Sequence, residues 1–316
     1  MRKFIKKICL FAALLFAFYA VVFVFDSCVV GNQYLGSYQA ALIDKAERLR
    51  SVEGSKIILI GNSNVCFGMD SKLIEDQFHM PVVDMGLHGG LGNAFHERMI
   101  YYGLSAGDIV VICHSSFSDD GSIGDPDLAW ITLEHHAELW QIVEKKDLLP
   151  LFWAFPSYFH NLILNMMLGW QGNVAREDSC YSRSAFNEYG DIAFRPAESY
   201  TFTEESVNVP EINDTCVSRL NQLNRYIEEQ GATMLVAGYP IGYGEYTPDA
   251  SEFDTFEQKL RQALDCDVIS HYTDYFLPYE LFYNTKLHLT AEGAEIRTKQ
   301  FISDLSAWMQ DEGAAR

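Results

Sequence analysis

Basic residues are scarce: 23 Lys and Arg stand against 43 Asp and Glu, for a formal charge of −20. Such a chain repels nucleic acid phosphates and anionic lipid surfaces, which excludes nucleic acid as a partner and favours a neutral or cationic one. The seven cysteines (Cys9, Cys28, Cys66, Cys113, Cys180, Cys216 and Cys266) contain no CxxC pair and no metal-ligand spacing. That pattern argues against zinc, and no metal or cofactor is expected. In an oxidising compartment Cys180 and Cys216 could pair; free buried thiols are the alternative. Internal repeats and low-complexity segments are missing as well. What the 316 residues do hold is apolar material, 48% hydrophobic and 14% aromatic. It suffices for a large core, arranged as one domain with an insertion or as two domains.

Charge is absent altogether from Ile8 to Phe25, a run preceded by Arg2, Lys3, Lys6 and Lys7 and closed by Asp26. Eighteen apolar residues can cross a bilayer, and the basic cluster predicts that the N-terminal end stays cytoplasmic. A cleaved signal peptide would be shorter and would end in small residues, whereas Phe23-Val24-Phe25-Asp26-Ser27 offers no such site. The expected organisation is a basic tip and single-pass anchor over 1–27, a helical stalk over 28–53, and an extracytoplasmic α/β domain over 54–316. The helical spacing from Tyr34 to Ser51 suits a helix that either packs beside that domain or lifts it off the membrane.

Lys56 to Gly68, KIILIGNSNVCFG, is the stretch around which the domain is arranged. Ile57 to Ile60 show no polar alternation, as in a strand covered by helices on both faces. Gly61 permits a sharp turn, and Asp70 or Ser71 can cap a helix beginning near Lys72. Further strands are expected at Pro81–Met85, Ile109–Cys113, Thr233–Ala237 and Val268–Ser270. The intervening helices are expected near 72–78, 94–104, 212–230 and 253–264, with a last one from Ala291 to Gln310 behind Thr290. This alternation indicates βαβ units and a mainly parallel sheet. It stops between about 115 and 210, an insertion with helices expected at Asp127–Lys146 and Tyr158–Leu168 and a polar, irregular stretch from Gln171 to Pro210. The insertion is read as a cap over the carboxyl edge of the sheet, with Trp130, Trp140 and Phe152 as core.

A serine on a strand-to-helix turn, Ser63, stands where ligands bind in open α/β sheets. His288, just before the last helix, can act as its base, with Asn284 to hold the imidazole tautomer. His88 and His114, in loops after the second and third strands, are candidates for substrate contact. A metal held by them with Asp84 or Asp119 is disfavoured, because two histidines on separate loops specify no geometry. His135-His136 reads as a solvated helix face.

Together these pieces resemble the SGNH/GDSL-type hydrolases, in particular a membrane-anchored branch that includes D-alanyl-lipoteichoic acid biosynthesis and polysaccharide O-acetylation proteins. Gly61-Asn62-Ser63-Asn64 matches the first block, with Phe67-Gly68-Met69-Asp70 continuing it. Asp84-Met85-Gly86-Leu87-His88-Gly89 matches the second block, with Asp84 in place of Asn. Asn284 through His288-Leu289-Thr290-Ala291-Glu292-Gly293 matches the fifth, although the commoner family spacing would put the acid at Thr285. Asn187-Glu188-Tyr189-Gly190-Asp191 is similar to a segment of the same branch. The resemblance implies a three-layer α/β/α sandwich (SGNH/flavodoxin-like), a Ser63 nucleophile, a His288 base and Asn284 in the acid's place. It further implies an oxyanion hole from the backbone N–H groups of Ser63 and Gly89, with Asn64 near the substrate. The implied activity is that of an esterase or O-acyltransferase on an acylated cell-envelope polymer or glycan, working through an acyl-serine intermediate, with a membrane-bound O-acyltransferase as a partner. Two departures stand out: an amide replaces the triad acid, and Cys113-His114-Ser115-Ser116 replaces the third-block asparagine. They motivate a second expectation, a catalytically weak or silent accessory protein on the same fold. Asp274 is the other acid weighed for the triad.

Overall fold

A computed structural model of the chain describes residues 1–134, 136–168, 179–195, 207–245 and 247–315. Its centre is a five-stranded, all-parallel sheet of β1 (Ile57–Ile60), β2 (Val82–Asp84), β3 (Ile109–Ile112), β4 (Thr233–Val236) and, after the short β5 (Ile241–Tyr243), β6 (Asp267–Val268). The spatial order is β2-β1-β3-β4-β6, so β1 lies between β2 and β3. Every residue of β1 and β3 is buried, as their unalternating sequences require. β5 pairs in parallel with β7 (Phe276–Pro278), while β8 (Phe282–Thr285) and β9 (His288–Leu289) form an antiparallel pair.

Ten helices are described: α1 (Arg2–Val29), α2 (Ala41–Ser51), α3 (Ser63–Cys66), α4 (Ser71–Phe78), α5 (Asn93–Arg98), α6 (Pro126–Leu133), α7 (Leu148–Leu168), α8 (Asp214–Glu229), α9 (Ala250–Ala263) and α10 (Ala291–Ala315). Alternate strand residues feed different cores. Ile58, Ile60, Val110, Ile112 and Val236 pack with apolar side chains of α2, α5 and α8. Ile57, Leu59, Ile109, Val111 and Leu235 pack with Ile74 of α4 and with Phe301 and Leu305 of α10. Helix starts follow the sequence closely where a cap is present. The Asp70 carboxylate accepts from Leu73 N to begin α4, and Asn213 accepts from Cys216 N to begin α8.

α1 is 28 residues long with a mean hydropathy of 2.8 over its best window, long and apolar enough to cross a membrane. The segment after it packs beside the domain and is no stalk. Val30, Tyr34 and Tyr38 are buried in the main core, and α2 starts at Ala41 instead of Tyr34 and buries Leu42, Ala46 and Leu49. Cys216 is a buried free thiol, so the expected bridge from Cys180 to Cys216 is not formed.

The insertion departs furthest from expectation. α6 is short, a 3-10 turn covers Ala137–Ile142, and α7 begins ten residues before the expected Tyr158. Its first half packs on α1, through Tyr19 with Phe152 and Phe155 and through Phe23 with Trp130 and Phe155. Its second half, residues 179–195, lies against the carboxyl ends of β1 and β2, where Ile192 N donates to the Cys66 carbonyl and Asp84 N to the Tyr189 carbonyl. Of the expected irregular stretch Gln171–Pro210, residues 171–178 and 196–206 lie outside the described residues, as does His135. The neighbouring His136 is half-buried, with its Nε2 3.1 Å from Asn32 Nδ2.

Candidate active site

Ser63 is the first residue of α3, directly beyond β1. A side chain at Gly61 would put its Cβ 2.6 Å from Val65 Cγ2 and 3.0 Å from the Cys113 carbonyl, so only glycine fits this turn. Asn62 caps α3 by accepting from Asn64 N at 2.9 Å, and it also accepts from Asn64 Nδ2 at 2.7 Å. Asn64 donates further to the Cys113 carbonyl and accepts from Arg297 Nη2 at 2.9 Å. Fully buried and with its side-chain amide occupied at both ends, Asn64 braces the Ser63 turn and has no side-chain group left for a ligand. That corrects its expected role.

His288 arrives on β9 with its Nε2 2.8 Å from Ser63 Oγ and its Nδ1 2.8 Å from Asn284 Oδ1. The tautomer that satisfies both has Nδ1–H donating to the amide oxygen and Nε2 accepting from the serine hydroxyl. Asn284 sits on β8, and Thr285, the position favoured by the commoner spacing, instead accepts from the backbone N–H groups of Leu287 and His288. Asp274 lies in the 3-10 turn Tyr272–Tyr275, and no contact of it with His288 is among those described. The orientation of the Asn284 amide is fixed by a residue that the sequence did not single out: its Nδ2 donates to the Tyr181 hydroxyl at 2.8 Å. The same hydroxyl is 3.4 Å from His288 Nδ1. Tyr181 is 103 residues from Asn284 in sequence, and no local pattern could have paired them.

The imidazole stacks face to face on Phe67, 3.9 Å between centroids. Burial, with smaller contributions from His88 and Arg195, pushes its pKa down to about 3. His288 is thus held neutral, and among the described residues no carboxylate contacts its ring.

The second-block loop lies against the same turn. Asn62 and Leu87 form a parallel bridge, and a side chain at Gly86 would put its Cβ 2.7 Å from Cys66 N. Gly89 is exposed, and a Cβ there would lie 3.5 Å from Asn62 Cβ, so it borders the nucleophile turn as an oxyanion donor must. His88 is also exposed, its Nδ1 accepting from Gly90 N. From the other side Asn62 Nδ2 donates to Ser115 Oγ at 3.0 Å, which places a hydroxyl in the loop after β3. Ser115 also lines a cleft of about 380 Å³ together with Ser116, Tyr239, Pro240, Lys286 and Leu287. Ser63 is not part of that lining; the cleft adjoins the triad through Ser115 and through Leu287, the neighbour of His288.

His114 is not at the site. It is fully buried with Nε2 2.9 Å from Glu97 Oε1, and Arg219 bridges Glu97 to Asp119. Burial alone would raise the Glu97 carboxyl, but the hydrogen bonds from His114 and Arg219 prevail and hold it at about 2. Asp84 is likewise buried, 3.6 Å from Lys45 Nζ and accepting from Gly86 N at 2.5 Å. Burial pushes its pKa up to about 8 against the pull of Lys45, and the neighbouring Asp191 adds to the rise. Burial pushes the Asp191 carboxyl up as well, opposed by the hydrogen bonds that it accepts from Ser71 N, Ser71 Oγ and Asn187 Nδ2. Asp84 is held neutral, in the position where the resemblance expects asparagine. Among the described residues no three His, Cys, Asp or Glu side chains gather as metal ligands.

Neither the family models nor the curated proteins contain a match to this chain.

Proposed function

We propose that the chain is an extracytoplasmic serine esterase or O-acyltransferase of SGNH type, acting on acyl groups of a cell-envelope polysaccharide or related polymer. The observation that carries this reading is the continuous relay from Ser63 Oγ to His288 Nε2 and from Nδ1 to Asn284, with both contacts at 2.8 Å. The three-layer α/β/α arrangement is supported by the two helix-packed sets of strand residues. In the proposed reaction His288 Nε2 takes the Ser63 proton as Oγ bonds to the acyl carbon. The backbone N–H groups of Ser63 and Gly89 hold the oxyanion, and the departing alcohol leaves with the proton from His288. Water or a second hydroxyl then attacks the acyl-serine, which gives hydrolysis or transfer. A fluorophosphonate probe tests the first half of this sequence: the full-length protein is labelled and Ser63→Ala is not. Absence of labelling in the unaltered protein removes the reading.

One observation favours a second reading, a weak or silent accessory protein that binds a polymer or a membrane acyltransferase. The pKa of His288 lies near 3, and its orienting partner is an uncharged amide. The variant Asn284→Asp separates the two. A gain in esterase turnover of orders of magnitude supports the accessory reading, and a loss of activity already present in the unaltered protein refutes it.

The proposed location is a single-pass anchor with its N-terminus cytoplasmic. Four basic residues precede the apolar run, and none occurs between Asp26 and Asp44.

A further inference from the structure

We infer that the first two turns of α7 lie in the outer leaflet of the membrane beside α1, so that the domain is docked onto the bilayer by a second element as well as tethered to it. The inference rests on α1 being the bilayer-crossing helix, a condition the test below probes separately.

From Leu148 to Leu168 the chain carries no Asp, Glu, Lys or Arg. A surface helix of a water-soluble domain is polar on its outer face. Here Leu148, Leu149 and Trp153 are 55, 64 and 71% exposed at the start of the helix. Such a contiguous apolar patch marks an interaction surface, and its occupant follows from continuity with the anchor. Phe152 stacks on Tyr19, and Phe155 packs at a tilt against both Tyr19 and Phe23. Tyr19 lies ten residues before the end of α1 at Val29, about 15 Å along its axis. Whatever surrounds α1 at that level therefore also surrounds the first turns of α7.

One contact is hard to explain in water and necessary in lipid. Pro156, inside α7, has no N–H to give to the Phe152 carbonyl four residues earlier, and an unsatisfied carbonyl in hydrocarbon costs several kcal/mol. The Tyr19 hydroxyl of α1 donates to that carbonyl. Lys145, just ahead of the helix, is exposed and long enough to reach headgroups, while the neighbouring Lys146 pairs with Glu144 at 3.1 Å. Further along α7, Tyr158 meets Tyr34, beyond the end of α1. Only the first part of α7 is thus immersed, as in helices that sit at the boundary between headgroups and acyl chains.

The test uses full-length protein in vesicles of phosphatidylethanolamine and phosphatidylglycerol, with Cys9, Cys28 and Cys266 changed to serine. An environment-sensitive fluorophore is attached at Trp153→Cys, with Leu14→Cys in α1 and Glu252→Cys on the exposed face of α9 as references. The expected result is that the label at 153 behaves like that at 14: quenched by spin-labelled lipid and several-fold less sensitive to iodide than the label at 252. Iodide access at 153 equal to that at 252, with 14 still lipid-quenched, overturns the docking while leaving the anchor intact. Shielding at 153 from both quenchers means that protein covers the patch, a second copy included, and also overturns it. Iodide access at 14 refutes the anchor and the docking together.

Discussion

Asp84 shows how a single proton can replace a residue type. Its carboxyl is fully buried beside Asp191, with the Lys45 ammonium 3.6 Å away. Because its folded pKa is raised to about 8, the folded chain holds a proton that the unfolded chain releases near the ordinary carboxylate value. The contribution to stability is therefore complete at low pH and is lost as pH rises toward 8. His288 and His96 act in the opposite sense: with pKa values pushed down by burial to about 3, they oppose folding as pH falls below about 6.5. Asp84→Asn, which carries the neutral amide permanently, should leave the melting temperature near pH 3.5 almost unchanged and raise it increasingly from there to pH 8.5. A thermal melt of both proteins across that range checks this, and equal pH dependence refutes the protonated aspartic acid. The pairing of Ser63 with His288 was legible from the turn chemistry around each, as was Asn284 from its place four residues before the histidine. The supports were not: Tyr181, Ser115 and Arg297 reach the site from elsewhere in the chain, and contacts made only by folding leave no periodic trace. His114 misled for the same reason, since a residue after a parallel strand can face the cleft or the core.

At the level of elements, strands buried on both faces were the easiest to read, because a four-residue apolar run bounded by turns has few other uses. The hardest was α7. Pro150 and Pro156 interrupt the sequence pattern, and a proline inside a helix ordinarily costs about 3 kcal/mol. The cost is reduced where a neighbouring helix satisfies the freed carbonyl, and Tyr19 does so here. Tyr19→Phe should therefore destabilise the protein by about 1–3 kcal/mol. In a Pro156→Ala background, where the helix can close its own bond, the same change should cost far less. A double-mutant cycle on thermal stability in detergent or lipid measures that difference, and additive effects would refute the link between the two helices. The short pairs β5–β7 and β8–β9 escaped the sequence because two or three residues carry too little pattern to register.

On the scale of the whole molecule, the parallel class of the sheet was legible from the alternation of strands and helices, whereas the order β2-β1-β3-β4-β6 was not, being set by long-range packing. The excess of acidic residues gives the domain a strongly negative field, which disfavours close approach to anionic headgroups wherever no apolar surface compensates. Immersion of the Leu148–Trp153 patch supplies such a surface. If the domain faces outward, a single cysteine near Asp249 should react with a membrane-impermeant maleimide in intact cells whose outer barrier, if any, has been opened. Protection until the inner membrane is lysed would place the domain in the cytoplasm and remove envelope polymers as substrates.

The brace from Arg297 to the Ser63 turn also orders events in time. Arg297 Nη1 donates to the Asn64 carbonyl at 2.5 Å across 233 residues of sequence, and His288 meets Ser63 across 225. A ribosome makes His288 225 residues after Ser63 and Arg297 233 residues after Asn64, so over that stretch of synthesis the nascent serine has neither its histidine nor its brace. Closing such distant contacts is among the slower steps of folding. Ser63 therefore gains its contact with His288 and its brace from Arg297 only once β9 and α10 have emerged and packed.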